Sequence, residues 1–237
     1  MSEFSRTELM LGKAALEAFR HAHVAVFGVG GVGGACLEAL VRAGIGELSV
    51  FDADTVSISN INRQLIALHS TVGLKKTEAA KARALDINPA LIFHANDVFF
   101  DAQSADAYPL DAYDYIVDAI DTVSSKLLLI ERAKAASVPI VCCMGTGNKV
   151  DPSRFQITDI EKTSVCPLAR VMRAECRRRG IKGLRVLWSD EPPRTPPLTP
   201  EEHGRHIPGS VSFVPPVAGF LLAGEVLRTL AGIKAAD

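Results

Sequence analysis

The residues with chemistry to offer begin at a glycine turn. Gly28, Gly30 and Gly33 fit G-x-G-x-x-G, with Gly31 inside the motif, directly after the apolar run HVAVF. Such a turn lets backbone approach phosphate oxygens closely, and the helix after it offers them its free N–H groups. Asp52 closes the next apolar run, where a carboxylate can accept from ribose hydroxyls. The pattern serves NAD, FAD and ATP alike.

The polar run beyond Asp52 narrows the chemistry. Its segment SNINRQ, residues 59–64, ends in Arg63 and Gln64, and Lys76 comes thirteen residues after Arg63. A redox coenzyme carries phosphates that do not react and needs little beyond the helix terminus. Attack of a carboxylate on the α-phosphorus of ATP instead requires charge to be held on three phosphates and on departing pyrophosphate. A fixed guanidinium and ammonium, here Arg63 and Lys76, supply that. A magnesium ion bridging phosphates takes one or two carboxylates and water. Asp121, in VDAIDTVSSK past a strand end, is the candidate, although an aspartate there also suits a helix N-cap.

These groups need a scaffold, and the apolar pattern supplies one. Strands are predicted over 24–29, 48–52, 91–95, 115–119 and 139–143, with helices over 32–43, 75–87 and 123–136. Ser5 and Glu8 form an S-x-x-E capping box, and Leu9, Leu16 and Phe19 come after it at helical spacing, so a helix is predicted ahead of the first strand. Near-continuous apolar strands alternating with helices mean a mostly parallel sheet covered on both faces, the doubly wound α/β (Rossmann-like) class. A C-terminal region extends it, with strands over 154–160 and 185–188 and helices over 167–179 and 217–230. Between them, residues 190–209 hold six prolines and are expected to form an exposed, mobile loop. The expected organisation is one domain over 1–237, with a nucleotide-binding part at about 20–147 and a substrate-side extension at about 148–237.

The bulk properties exclude several classes. With 237 residues, 48% hydrophobic content and a formal net charge of −1, no global field draws the chain to nucleic acid or lipid. The longest uncharged run, between Arg205 and Glu225, is broken by prolines and glycines, whereas a membrane span needs about 20 mostly apolar residues. The N-terminus has no apolar signal segment. Five cysteines include no C-x-x-C pair, which argues for reduced thiols in the cytosol and against a tetrathiolate zinc site.

Taken in order, GVGGVG, DADTVSISNINRQ, GLKK and DAIDT resemble the ubiquitin-activating-enzyme-like adenylating superfamily, over about residues 6–147. The resemblance implies a homodimer that uses ATP and magnesium to turn a carboxylate into an acyl-adenylate. It places the nucleotide on Gly31, Asp52, Asn60, Arg63 and Lys76, and magnesium on Asp121. It makes Arg6, in FSRTEL, the arginine that reaches into the neighbouring subunit's site. Thr122 stands where many sulfur-carrier activators of this superfamily have asparagine.

Those activators usually carry two C-x-x-C pairs, which are missing. The segments CCMGTGNKVDPSRF and EKTSVCPLARVMR instead resemble a smaller branch, the tRNA threonylcarbamoyladenosine dehydratases, and extend the resemblance over nearly the whole chain. It implies adenylation of the threonyl carboxylate of that tRNA modification, ring closure, and an association with cysteine-desulfurase systems. A separate clue agrees with tRNA. Arg170, Arg173, Arg177, Arg178, Arg179, Lys182 and Arg185 face one acid, Glu175, over the same stretch, a basic stripe suited to phosphodiesters or to a solvated helix face. Arg170, Arg173 and Arg177 share one side of a helix.

Other residues keep two readings. Lys149 and Asp151 either line the substrate side or build a turn. Cys166, next to Pro167, is either a thiol that accepts sulfur or an acyl group, or a small packed hydrophobe, the commoner fate. Cys142 and Cys143 belong to a strand and its core, and His69, His203 and His206 lack ligand-like spacing. An oxidoreductase or a nucleotide-binding regulator would leave Arg63 and Lys76 without a task. Activation of a ubiquitin-like sulfur carrier is the runner-up.

Overall fold

The structure, a computed structural model, describes residues 2–197 and 208–233, together with the backbone of two short strands between them. Chain order is α1 (Ser5–Leu11), α2 (Lys13–His21), β1 (His23–Phe27), α3 (Gly31–Ala43), β2 (Glu47–Phe51), α4 (Lys76–Ile87), β3 (Ile92–Asn96), β4 (Tyr115–Asp118), α5 (Val123–Ala135) and β5 (Ile140–Cys143). Then come β6 (Phe155–Asp159), α6 (Pro167–Arg178), β7 (Arg185–Ser189), β8 (Glu201–Glu202), β9 (Arg205–His206) and α7 (Val214–Leu230).

Seven strands form one sheet in the order β3-β2-β1-β4-β5-β7-β6. All neighbours are parallel except the edge pair β6–β7, which is antiparallel. The chain winds outward from β1 to β3, then crosses back to β4 on the other side of β1. That reversal opens a crevice at the carboxyl ends of β1 and β4, where ligands sit in such sheets. The central strands are buried along nearly their whole length, as covering on both faces requires. One core layer packs α3, α7 and α2 on Val24, Val26, Leu48 and Val50. The other packs α5 and α6 on Ala25, Phe27, Ile116 and Cys142, with the Phe27 and Phe51 rings stacked at 4.2 Å.

Three sequence expectations change. The leading helix is two helices, because Gly12 sits between them at φ 85, outside the helical region. Ser5 is therefore the first residue of α1 and not its cap; the cap position is Phe4, whose ring lies against Gly44 at the far end of α3. The last helix begins three residues earlier than predicted, since Pro215 and Pro216 fall in its first turn, where a missing N–H costs nothing. The proline-rich segment is not wholly exposed. Glu191 is buried, and its carboxylate accepts the backbone N–H groups of Val150 and Asp151 at 3.0 Å each, satisfying a turn. Residues 198–200, 203, 204 and 207 of that segment, including His203, lie outside the described residues.

Close backbone approach fixes the top of the fold. A Cβ on Gly219 of α7 would stand 2.2 Å from the Val32 carbonyl oxygen, and one on Gly31 would stand 2.9 Å from Pro215 Cβ. So α7 lies directly on the start of α3. No helix among the described residues is long and apolar enough to cross a membrane.

Candidate active site

The glycine turn joins β1 to α3 beside the end of β4. Gly28 has φ 90, and a Cβ on it would meet the Ala119 carbonyl oxygen at 2.7 Å. A Cβ on Gly33 would stand 1.8 Å from the Gly28 carbonyl oxygen. Glycine is therefore required at both positions: for φ and strand contact at the first, and for helix-to-turn contact at the second. Gly30 occupies the N-cap of α3 without a side-chain cap, and the first turn carries no acid. Its N–H groups and the positive end of the helix dipole are open to an anion.

Asp52 lies just past β2 and ties that strand to the turn. Its Oδ2 accepts the Val29 N–H at 2.7 Å, and its Oδ1 accepts the Asp54 N–H at 2.9 Å. Lys76, the first residue of α4, is buried with Nζ 2.6 Å from Asp54 Oδ2 and 3.5 Å from Asp52 Oδ1. Asp54 is not among the residues singled out by sequence, although its D-x-D spacing from Asp52 is a signal. Asn60 ends a short 3-10 turn and accepts the Ser57 N–H at its side-chain Oδ1 at 3.1 Å. The same turn delivers Arg63 against Gly31, where a Cβ would stand 3.4 Å from Arg63 Cγ. Arg63 Nη1 donates to the Ser59 carbonyl at 3.0 Å and to Asn62 Oδ1 at 2.8 Å. Both acceptors are neutral, so the guanidinium charge is not cancelled by an acid among the described residues. Gln64, which closes the polar run, also belongs to the site: it is buried beside Gly30, and its Oε1 has no hydrogen-bond partner among the described residues.

Asp121 is exposed on the loop between β4 and α5. The N-cap of α5 is Thr122, so Asp121 does not serve as the cap. Among the described residues, its one side-chain hydrogen bond comes from Thr122 Oγ1 at 3.3 Å. An exposed carboxylate with lone pairs to spare fits a hard, partly hydrated cation. The loop is fixed from below by a pair that the sequence does not reveal. Lys126 and Asp118 are both fully buried, with Nζ 2.8 Å from Asp118 Oδ2. Lys126 also donates to the carbonyls of Ile120 at 3.1 Å and Cys143 at 2.9 Å. Burial pulls the Lys126 ammonium down, but the charge of Asp118 outweighs it, and the net direction is upward.

The thiols are core groups. All five cysteines are buried and free. Burial pushes the Cys143 thiol up to about 12 and Cys142 well above the usual range, the latter helped by Asp118. Cys166 is the N-cap of α6 and is buried against Gly145.

Of the two readings of Lys149 the structure favours the turn, and one arginine of the basic stripe needs correction. Lys149 is only 3% exposed and donates through Nζ to the Glu191 carbonyl at 2.5 Å, so it builds the turn and is not presented on the surface. Arg173 is half-buried, and its Nη1 donates to the Thr163 carbonyl at 2.8 Å and to Thr163 Oγ1. The fold needs that guanidinium to hold the loop before α6. Arg170 and Arg177 are exposed on α6, without an ion pair among the described residues, while Arg178 and Arg179 both pair with Glu175. Arg6 is exposed on α1, behind Phe4 at the opposite end of α3 from the glycine turn. That helix has 13 residues and is about 20 Å long, so Arg6 is not assembled with the other candidates in its own chain.

Beyond Asp52, a shallow groove of about 430 Å³ is lined by Ala53, Lys75, Asp97, Val98, Phe99 and Ser104 among others. Lys75 Nζ pairs with Asp97 Oδ2 at 3.0 Å on its rim.

A doubly wound sheet with a glycine turn at its switch point, an acid on the next strand, and arginine, lysine and aspartate converging on it defines a nucleotide-binding α/β protein. The chain belongs to the ThiF family, whose profile matches residues 4–237. It is 42% identical over 244 aligned residues to a Bacillus subtilis protein named tRNA threonylcarbamoyladenosine dehydratase, covering 97% of this chain and 95% of that one. An Escherichia coli protein of the same name is 39% identical over 170 residues, 72% of this chain and 63% of that protein. Solved structures of the Escherichia coli tRNA N6-threonylcarbamoyladenosine dehydratase superpose with a TM-score of 0.89. The one in complex with ATP is 32% identical and the one with AMP 33%, each covering 97% of this chain and 94% of that chain.

Proposed function

We propose that this chain is an ATP-dependent dehydratase of tRNA threonylcarbamoyladenosine. The observation that carries the reading is the set of ionic groups around one glycine turn: Arg63 against Gly31, Lys76 on Asp52 and Asp54, and Asp121 past β4. It is supported by 42% identity, over nearly the full length of both chains, to a protein bearing that name.

ATP lies with its polyphosphate on the uncapped N-terminus of α3, its ribose on Asp52, and its base in the groove beyond Ala53. Arg63 exchanges two neutral acceptors for phosphate oxygens, and Lys76 exchanges Asp54. Neither move leaves a buried charge unpaired. Asp121 would hold magnesium, whose chemistry is to neutralise the triphosphate. The threonyl carboxylate attacks the α-phosphorus and pyrophosphate leaves. A nucleophile of the same modified nucleoside then attacks the activated carbonyl, a ring closes, and AMP leaves. Because that step is intramolecular, its effective molarity is roughly 10⁵ M or more when well oriented, and no protein thiol is needed.

The chain works as one adenylating domain in a homodimer. The support is Arg6, far from its own glycine turn, on a helix that also exposes Leu9 and Met10; a second copy covers these side chains and receives the arginine. Arg170 and Arg177 face tRNA, and the cytoplasm is the proposed location of the activity. Activation of a ubiquitin-like sulfur carrier is the weaker reading, since no C-x-x-C pair is present.

Incubation with ATP, magnesium and tRNA carrying threonylcarbamoyladenosine, and then nucleoside mass analysis, tests the proposal. The expected product is lighter by one water, with AMP formed in equal amount. AMP release driven by a small protein ending in Gly-Gly, and not by the tRNA, would overturn it.

A further inference from the structure

At the end of the sheet away from the glycine turn, three side chains with metal-binding atoms meet on one face. His23 opens β1 and pairs in register with Glu47, which opens β2; His94 on β3 pairs with Ser49, two residues after Glu47. Parallel register and the period of two put His23, Glu47, Ser49 and His94 on the same side. His94 Nε2 is 2.7 Å from Glu47 Oε1, and His23 Nδ1 is 3.6 Å from the same oxygen. One ligand atom from each residue lies within 4.8 Å of the others.

We propose that His23, Glu47 and His94 form a binding site for a first-row transition metal ion, with zinc the best match. Two imidazoles and one carboxylate are a set zinc takes, with a fourth position open to water. Tetrahedral bonds of about 2.0–2.1 Å place ligand atoms about 3.3 Å apart, so His23 already has the spacing, and His94 retreats by roughly 0.6 Å as a hydrogen bond becomes two metal bonds. The supporting shell is present. His23 Nε2 is 2.9 Å from the buried Ser49 Oγ, which occupies that nitrogen and leaves Nδ1 for the ion. The Tyr113 ring packs on the His23 ring edge to face at 4.8 Å and fixes its plane. The His94 side chain is 48% exposed, Glu47 33% and His23 18%, so an ion enters directly from solvent. Five residues of β1 put the site about 15 Å from the nucleotide, and its imidazoles select against magnesium.

The test uses the full chain without an affinity tag, free of nucleotide, in millimolar magnesium. Titration with Co²⁺ is expected to give a visible d–d spectrum saturating at one ion per chain and displaced by Zn²⁺. His94→Ala and Glu47→Gln should abolish it, while His69→Ala should leave it unchanged. Equal Co²⁺ binding by wild type and His94→Ala would overturn the site. So would an intense near-ultraviolet thiolate band, which would assign the ion to a cysteine, or no saturable binding, which would leave only a hydrogen-bonded triad. Circular dichroism confirms folding of each variant, and none of these readouts depends on turnover.

Discussion

Replacing Lys126 with methionine tests how the loop bearing Asp121 is held. Both charges of the Asp118–Lys126 pair are fully shielded from solvent, so the variant leaves a carboxylate buried without its counter-ion. Breaking a buried pair from one side costs about 3–5 kcal/mol. For a chain of this length each kcal/mol is worth about 2–4 °C, so the melting point should fall by on the order of 10 °C. Urea unfolding monitored by fluorescence of the single, buried tryptophan, Trp188, measures the loss. Asp118→Asn/Lys126→Met should recover most of it, because no charge is left unpaired and the asparagine oxygen still accepts the Ile120 N–H, now 3.1 Å from Asp118 Oδ1. The raised Lys126 pKa sets the pH window. Stability from a raised group is fully present below its unfolded value, about 10.4, and is lost as pH rises through the folded value. The single-variant penalty should therefore be constant from about pH 7 to about 10 and shrink above. A penalty below about 1 kcal/mol at neutral pH would refute the account of a charge stranded in low dielectric.

Other perturbations address the site and the scaffold. Arg63→Ala and Asp121→Ala should each lower turnover by about 100-fold or more, the usual cost of removing one preorganised charge-stabilising group, with unchanged circular dichroism. Arg6→Ala and Asp121→Ala should each be inactive alone, while refolding an equal mixture should restore about a quarter of wild-type activity, because half the dimers then contain one intact composite site; no recovery would refute the exchange of Arg6. Cys166→Ala should keep wild-type turnover, since its thiol is buried in the core on the Gly145 side of the fold. Glu38 links α3 to α4 through Arg83 at 2.6 Å, and within α3 it also pairs with Arg42 at 2.7 Å. Burial raises its pKa, yet the arginine hydrogen bonds outweigh burial and the net direction is down. A lowered carboxyl stabilises above its unfolded value, about 4.3, and loses this as pH falls through the folded value. Glu38→Gln should therefore show a shallower stability loss below about pH 4.3 in acid unfolding curves.

The parts of this architecture that are legible from sequence are those written in local pattern. Apolar runs such as VAVF and IVCC announce buried parallel strands, and GVGGVG announces a turn whose glycines prove to be demanded by carbonyl oxygens at 1.8 and 2.7 Å. The hidden parts depend on partners distant in sequence. Lys149 reads equally as a substrate-side residue or a turn-builder until Glu191, 42 residues on, supplies its carbonyl. Arg173 reads as part of a basic stripe until Thr163 claims it. Asp118 sits in a strand that reads as apolar, and its counter-ion lies on the next helix. The insertion of β7 between β5 and β6 reverses the order of the chain, and no periodicity encodes which neighbour a strand chooses.

The contact between α7 and the beginning of α3 has a bearing on how the protein is born. During synthesis the phosphate cradle emerges early, but the surface that backs it arrives only with Pro215 and Gly219, after every strand of the main sheet has been made. A nascent chain thus carries an unfinished cradle until α7 has been made, and gains its grip on nucleotide only then.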